Sequence, residues 1–505
     1  MAIVLSDALK WWVKARPDAT ALVFGDEEVT YRHLGEWSDR VATDLAARGV
    51  GPGTVVAVAG ANSIEWCIAA LATFKSGATL TPFNFRFTPT EYGQLIDNCS
   101  PVVAFADETE SKKLEDARMP DREFDILPLA GVRDLEEGPT VPFRVVIDPD
   151  APALLAYTSG TTGLPKGVIL THTSMFASLF DLMLRDPMPP EATTQLLALP
   201  LFTLGGIEYA LAHTVARGGK LIVMKELDPE LALRLLAEHK VSQINGVPVI
   251  YERMSAVEGF DKLDLSHIKL ANIGGARVSG SLLKAWHDRG VALRQLYGMT
   301  EIGGSGTVPR PDDALARPEF CGDGSVFTEF RTVRADDSDC DPGEEGQILM
   351  RGPGMMRGYW NNQKATEEMI VDGWIHSGDL GVLDEDGYLR FVDRLKDMVI
   401  SGGFNISPTE VENAIAETPG VIEVSVIAIP DKKWGEVPAA IIYADRPIDR
   451  DTLIKELRQK LAGFKVPGHI VQIDKPLPRM VSGKIAKRKL AAEYTHLGDK
   501  QLNGN

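Results

Sequence analysis

The sequence predicts an α/β protein: a large N-terminal domain of two doubly wound α/β subdomains and a small β-barrel, then a small α+β C-terminal domain. Three observations carry this. A chain of 505 residues is too long for one ordinary core, so two or more domains are expected. As far as Tyr297, short apolar runs alternate with helix-period segments, the pattern of parallel sheets covered by helices. Residues 320–392 change to hairpin turns (Asp341-Pro342-Gly343, Asp386-Gly387) and alternating runs, and a compact βα pattern starts at Val399.

The elements follow in order. Leu5, Leu9 and the Trp11-Trp12 pair mark an amphipathic helix packing on the body. Residues 20–32 alternate around Gly25-Asp26, a hairpin signal. Residues 31–48 have helical spacing and stop at Gly49. Extended runs at 55–59 and 79–83 alternate with helical ones at 63–75 and 91–98, and the charged stretch 108–142 reads as a surface connection. Runs at 151–156 and 168–170 are extended, and 174–184 is helical. A second unit follows, with extended segments at 196–201, 220–224, 243–246, 264–273 and 292–297, and helices at 207–215, 231–238 and 282–288. In the last part, 408–416 is helical and 421–429 extended.

Composition narrows the function. Apolar residues at 44% and charged residues at 25% are a normal globular balance. A net charge of -18 argues against a nucleic-acid or anionic-membrane partner, so an anionic substrate must be held by local positive charge. The four cysteines (Cys67, Cys99, Cys321, Cys340) have no paired spacing, which fits a reducing cytosol and no structural zinc. With no apolar run of membrane-spanning length and no signal-peptide pattern, a cytoplasmic protein without a transmembrane segment is expected.

The densest chemistry lies in Tyr157-Thr158-Ser159-Gly160-Thr161-Thr162-Gly163-Leu164-Pro165-Lys166-Gly167. Glycines let backbone amides converge on an anion, hydroxyls add donors, and Lys166 adds positive charge. Such a loop suits a polyphosphate. It is not the pattern in which Ser or Thr follows the lysine, because Gly167 stands there and no helix pattern starts. A flexible Gly/Thr turn is the plain alternative.

This loop resembles the phosphate loop of the adenylate-forming enzymes, which include acyl-CoA synthetases, peptide-synthetase adenylation domains and luciferases. The resemblance, to the AMP-forming acyl-CoA synthetases above all, runs over nearly the whole chain. Leu296-Tyr297-Gly298-Met299-Thr300-Glu301 ends a strand, where open α/β sheets bind ligands. Tyr297 can stack on a purine, Thr300 can reach a phosphate and Glu301 can hold Mg2+ through oxygen. The resemblance assigns those roles, with Thr158 beside Glu301 at the metal; alone, the segment fits a capped turn slightly better. It makes Gly274-Gly275-Ala276 the adenine wall, Asp379 and Arg394 the ribose contacts, and Lys396 the hinge. It makes Gly402-Gly403-Phe404 the loop facing the pantetheine tunnel and Lys484, in Pro478-Arg479-Met480-Val481-Ser482-Gly483-Lys484, the C-terminal lysine. The implied domains are 1–393, which binds AMP, and 394–505, which is mobile.

The resemblance implies ATP, Mg2+ and coenzyme A as co-substrates and cofactor. The acid becomes an acyl-adenylate with loss of pyrophosphate, served by Lys484, Glu301, Thr300 and Lys166. A thiol then displaces AMP. The chain ends soon after Lys484 without a carrier domain, which favours coenzyme A over a separate carrier protein. No Phe-Asp pair follows Pro200, which argues against amino acids. The acid pocket is expected around Phe202, Thr203, Gly205, Tyr209, Val247, Asn272, Gly274, Ile302 and Gly303, suited to a fatty, alicyclic or aryl acid. Two departures stand out: Thr203 replaces a frequent His, and the usual Gly-x-Pro is replaced near Gly322-Asp323-Gly324-Ser325. A non-catalytic acyl- or nucleotide-binding relative is a different class. The presence of Lys166, Glu301, Asp379, Arg394 and Lys484 together argues against it. A homodimer is an expectation that no residue pattern carries.

Overall fold

The computed structural model describes residues 4–117, 123–140, 142–158, 165–275, 278–402, 404–479 and 485–499. The chain groups into two compact units. The first comprises Met1–Phe330, Leu349–His376 and Asp386–Leu389; the second comprises Arg331–Ile348, Ser377–Glu385 and Arg390–Asn505. The long final stretch of the second unit begins at Arg390.

The first unit holds two seven-stranded sheets. One runs in the order Leu293–Gln295, Leu270–Ile273, Gln243–Gly246, Thr194–Leu197, Lys220–Val223, Thr20–Phe24, Glu27–Thr30. It is parallel except for the closing hairpin. The other runs Gly358–Tyr359, Lys166–Thr171, Pro152–Thr158, Thr79–Phe83, Val55–Ala59, Val103–Ala106, Asp125–Pro128. Its central strands are parallel, and the Lys166–Thr171 strand is antiparallel to both its neighbours. Val55–Ala59 is buried at every position, as a parallel strand covered on both faces must be.

Helix Ile64–Ser76 is capped by the Ser63 side chain and stopped at Gly77. Its Lys75 is buried, and the charge is tolerated because the ammonium meets Asp39 at 2.6 Å and the Gly35 carbonyl at 2.8 Å. The charged stretch 108–142 is more than a connection. It contains helix Glu108–Asp116, edge strand Asp125–Pro128 and the 3-10 turn Leu129–Leu135. The few apolar residues there, Leu114 and Val132 among them, fall where they can be buried, and Trp37 donates to the Val132 carbonyl at 2.9 Å. The expected helix at 207–215 is a π-helix, Ile207–Ala212, running into helix His213–Arg217. Its wide turn leaves the Tyr209 carbonyl to Gln195 at 2.7 Å and Asn245 at 3.2 Å.

Residues 320–392 form a five-stranded sheet (Glu329–Val333, Glu345–Arg351, Trp374–Leu383, Ile370–Val371, with Leu389–Arg394 paired to Trp374–Leu383), and the unit boundaries fall within it. The second unit adds a five-stranded sheet of Phe404–Ile406, Val399–Ser401, Gly435–Ala444 and Val421–Asp431, with His469–Ile473 on the Gly435–Ala444 strand. Two apolar clusters, one around Val411, Ile415 and Leu457, the other around Leu477 and Leu490, pack against it. Among the described residues, no helix is long and apolar enough to cross a membrane.

Candidate active site

In the first unit the strand ends bring together three segments far apart in sequence. Thr158 and Lys166 face each other across the antiparallel pairing of their strands, on either side of the loop expected to bind phosphate. The Lys166 ammonium lies 4.9 Å from the centre of the Tyr359 ring. The Tyr359 hydroxyl donates to Glu301 Oε1 at 2.7 Å. Burial, reinforced by that carboxylate, pushes the Tyr359 phenol up, so it stays protonated. Ser159, Gly160, Thr161, Thr162 and Gly163 lie outside the described residues, as do Ala276, Gly403 and Lys484.

Thr300, Glu301 and Ile302 form one 3-10 turn. The turn is pinned from both sides. Tyr297 bridges to Thr307, and Met356 N donates to the Glu301 carbonyl at 2.8 Å. A Cβ on Gly298 would sit 1.9 Å from the Gly304 carbonyl oxygen, so only glycine fits there. Met299 continues the segment by accepting from Gly304 N at 2.9 Å. Gly274 stands at the end of the neighbouring strand and donates to the Gly246 carbonyl at 3.1 Å. A Cβ on Gly275 would meet Val247 at 3.5 Å.

The expected acid-pocket residues divide into two groups. Phe202 packs edge-on against Phe85, with ring centres 5.2 Å apart. Tyr209 donates to the Gly303 carbonyl at 2.8 Å and accepts from Ser305 N. Gly205 lies between these two in the chain, and Ile302 ends the turn just before Gly303. Thr203 is a helix cap: its hydroxyl donates to the Pro200 carbonyl at 2.7 Å and accepts from Gly206 N at 3.1 Å. Asn272 is held in a buried network, donating to Asn245 at 2.8 Å and accepting from Arg294. Arg294 in turn grips Asp186 with two bonds of 2.8 and 2.7 Å.

Sequence reasoning missed Glu208, next to Tyr209 on the π-helix. It is fully buried, and neither carboxyl oxygen has a hydrogen bond of ordinary length. Burial pushes its carboxyl well above the usual range, and the Ser178 hydroxyl opposes this only in part.

In the second unit Asp379 and Arg394 approach at 3.5 Å. Asp393, buried beside them, accepts from Arg394 N at 2.8 Å, from the Ser407 hydroxyl at 2.6 Å and from Thr409 N at 2.9 Å. It thereby ties the chain to the start of helix Pro408–Ala416. Lys396 lies just after, in the single exposed turn Leu395–Asp397. Gly402 has φ of +57°, and a Cβ there would meet Trp434 at 2.7 Å. Phe404 stacks on Phe464, centre to centre 4.7 Å, and both are exposed beside half-exposed Trp434. Trp434 and Phe464 carry no signal beyond being aromatic. The ends of the segment that carries Lys484 are held together by the bridge Arg479 to Ile485 and by Ala486 N donating to the Pro478 carbonyl at 2.7 Å.

The donor chemistry suits a polyphosphate with Mg2+. Glu301 and the Thr158 and Thr300 hydroxyls are hard oxygen donors. Among the described residues, no group of three or more His, Cys, Asp or Glu could hold a metal.

Two largely parallel sheets, with Lys166 from one and Glu301 from the turn after an edge strand of the other meeting at Tyr359, fit the class of nucleotide-binding α/β enzymes. The chain matches the model of the AMP-binding enzyme family over residues 9–360 and that of the AMP-binding enzyme C-terminal domain over 410–484. It is 36% identical to a feruloyl-CoA synthase from Amycolatopsis sp over 95% of this chain and 96% of that protein. It is 32% identical to an indoleacetate–CoA ligase from Aromatoleum aromaticum over 95% of this chain and 97% of that protein. The o-succinylbenzoate CoA synthetase from Bacillus subtilis, in complex with its acyl-adenylate intermediate, matches with a TM-score of 0.87 and 29% identity, covering 96% of this chain and 97% of that one. The chain belongs to the AMP-binding enzyme family, and within it to the AMP-forming acyl-CoA synthetases.

Proposed function

We propose that this enzyme ligates an aryl carboxylic acid to coenzyme A at the expense of ATP, with AMP and pyrophosphate as products. The observation that carries the reading is the convergence of Lys166, Tyr359 and Glu301 at the mouth of the phosphate loop. The aryl acid is supported by the Phe202–Phe85 pair and by Tyr209 beside Gly303, which offer aromatic surface on the segments expected to line the acid pocket. The feruloyl and indoleacetate specificities in the relatives' names point the same way.

A carboxylate is a poor electrophile, so it is first converted to a mixed anhydride. A carboxylate oxygen attacks the α-phosphorus and pyrophosphate leaves. Lys166, the loop amides and hydroxyls would bind the β- and γ-phosphates, Tyr297 and Gly274–Gly275 the adenine, Thr300 the α-phosphate, and Asp379 with Arg394 the ribose. Glu301 and Thr158 would hold Mg2+, which offsets charge on the departing pyrophosphate. Lys484 would neutralise the approaching carboxylate and α-phosphate. Catalysis is then positioning and electrostatic preorganisation, with no protein nucleophile. In the second step the coenzyme A sulfur attacks the acyl carbon and AMP leaves with the bonding electrons. The Gly402-Gly403 loop would admit the pantetheine arm, and exposed Phe404, Phe464 and Trp434 offer a stacking surface for the nucleotide end. Residues 394–505 would move about Lys396 between the steps. Cytoplasmic residence belongs to the same reading and is supported by four free cysteines.

The test is pyrophosphate release with ATP, coenzyme A and a panel of aryl, alicyclic and fatty acids. Preference for an aryl acid supports the reading; preference for a long alkyl acid contradicts its substrate class.

A further inference from the structure

We propose that Tyr359 is a positioning residue for adenylate formation: its phenol holds the Glu301 carboxylate in place, and its ring holds the Lys166 ammonium until a polyphosphate takes it. The inference rests on the reading above. Its basis is how the short segment around Tyr359 is anchored. Gly358–Tyr359 is a two-residue strand, paired with the strand that leaves the phosphate loop through Gly358 to Ile169 and Tyr359 to Val168. Trp360 N donates to the Gly167 carbonyl at 2.7 Å, and Met356 N donates to the Glu301 carbonyl at 2.8 Å. One strap therefore fastens both the phosphate loop and the Glu301 turn, and Tyr359 N is itself held by the Thr366 hydroxyl at 2.8 Å.

The chemistry of the tyrosine suits this place. Glu301 is only 6% exposed, and a buried carboxylate needs a hydrogen-bond donor to hold it in place. A phenol supplies that bond without positive charge, so the carboxylate keeps its full attraction for a cation. A lysine or arginine in the same place would neutralise it. Partners that orient a metal-binding side chain in this way set metal affinity. At 4.9 Å the Tyr359 ring attracts the Lys166 ammonium weakly enough to be surrendered to phosphate. Among the described residues, no carboxylate is ion-paired with Lys166, so its charge remains for the ligand.

The test compares wild type with Tyr359→Phe, which keeps the ring and removes the hydroxyl, in two assays. The first is equilibrium binding of ATP with and without Mg2+. The second is acid-dependent ATP–pyrophosphate exchange as a function of Mg2+. Tyr359→Phe should need about 10–100-fold more Mg2+ in both, the range seen when an outer-shell partner of a metal ligand is lost. ATP affinity without Mg2+ should stay as in wild type. In a double-mutant cycle, Tyr359→Phe should cost nothing further once Glu301→Gln is present, because the hydroxyl acts through that carboxylate. Unchanged Mg2+ dependence of ATP binding in Tyr359→Phe, or full additivity with Glu301→Gln, would overturn the proposal. If wild type shows no exchange with any acid, the ligase reading fails, while the binding assay still judges Tyr359.

Discussion

The Tyr209 hydroxyl donates to the Gly303 carbonyl oxygen at 2.8 Å and so joins the π-helix to the loop that follows Glu301. The same hydroxyl accepts from Ser305 N, so one side chain fixes the backbone of that loop at two points. Its own carbonyl is held by Gln195 and Asn245. The residue is thus a brace between the sheet that holds Thr194–Leu197 and Gln243–Gly246 and the loop after Glu301.

Tyr209→Phe should remove the brace while keeping the aromatic wall. Leaving these buried backbone groups short of a partner costs about 1–3 kcal/mol. The expected outcome is a lower melting temperature and a KM for the acid raised about tenfold, with KM for ATP unchanged. Steady-state kinetics with each substrate varied in turn checks this; an equal rise in both KM values would mean general disorder of the site.

Glu208 gives a pH prediction with a definite sign. Because burial raises its folded-state pKa, the native protein binds a proton that the unfolded chain releases above about pH 4.3. The stability contribution is complete below that pH and declines as pH rises toward the folded value, by about 1.4 kcal/mol per pH unit. Glu208→Gln carries no proton to lose. Its stability relative to wild type should therefore rise between about pH 5 and pH 8 in denaturant unfolding. An identical difference at both pH values would show that Glu208 is ionised in the native protein.

The exposed aromatic surface of the second unit should serve only the thiol-transfer step. Trp434→Ala and Phe464→Ala should each raise KM for coenzyme A about tenfold, equivalent to ~1.4 kcal/mol of lost stacking. ATP–pyrophosphate exchange should be unaffected. A fall in exchange with an unchanged KM for coenzyme A would assign the surface to another role.

The sequence was legible where chemistry is carried by contiguous residues. The α/β alternation could be read in order, and the contiguous runs 157–167, 297–301 and 393–404 were enough to recognise the AMP-binding enzyme family. What escaped depends on partners distant in the chain. Tyr359 meets a carboxylate 58 positions away and sits on a strand of two residues, too short for any periodicity. Glu208 was hidden because a π-helix differs from an α-helix only in its backbone bonding. Thr203 was noted as a departure from the frequent His, but its capping bonds to Pro200 and Gly206 exist only once the turn has folded. Asn272 was placed at the acid pocket on position, and its amide proves to be engaged with Asn245 and Arg294. The stretch 108–142 was read as connection because charge outweighs the few apolar residues that anchor it.

The proposed division of labour between Lys484 and the Gly402-Gly403 loop would separate the two half-reactions. Lys484→Ala should lose about 10²–10³ in adenylate formation, the usual cost of removing a charge-stabilising donor. Given preformed acyl-adenylate, it should still make thioester near the wild-type rate. Gly403→Leu should do the reverse. Single-turnover assays of each half-reaction decide the matter; parallel loss of both steps in both variants would refute the division.

The most direct measurement is the nucleotide product. With ATP, Mg2+, coenzyme A and an aryl acid, chromatographic analysis of a completed reaction should show AMP and pyrophosphate in equal amounts with acyl-CoA. ADP with phosphate in place of AMP with pyrophosphate would contradict the account.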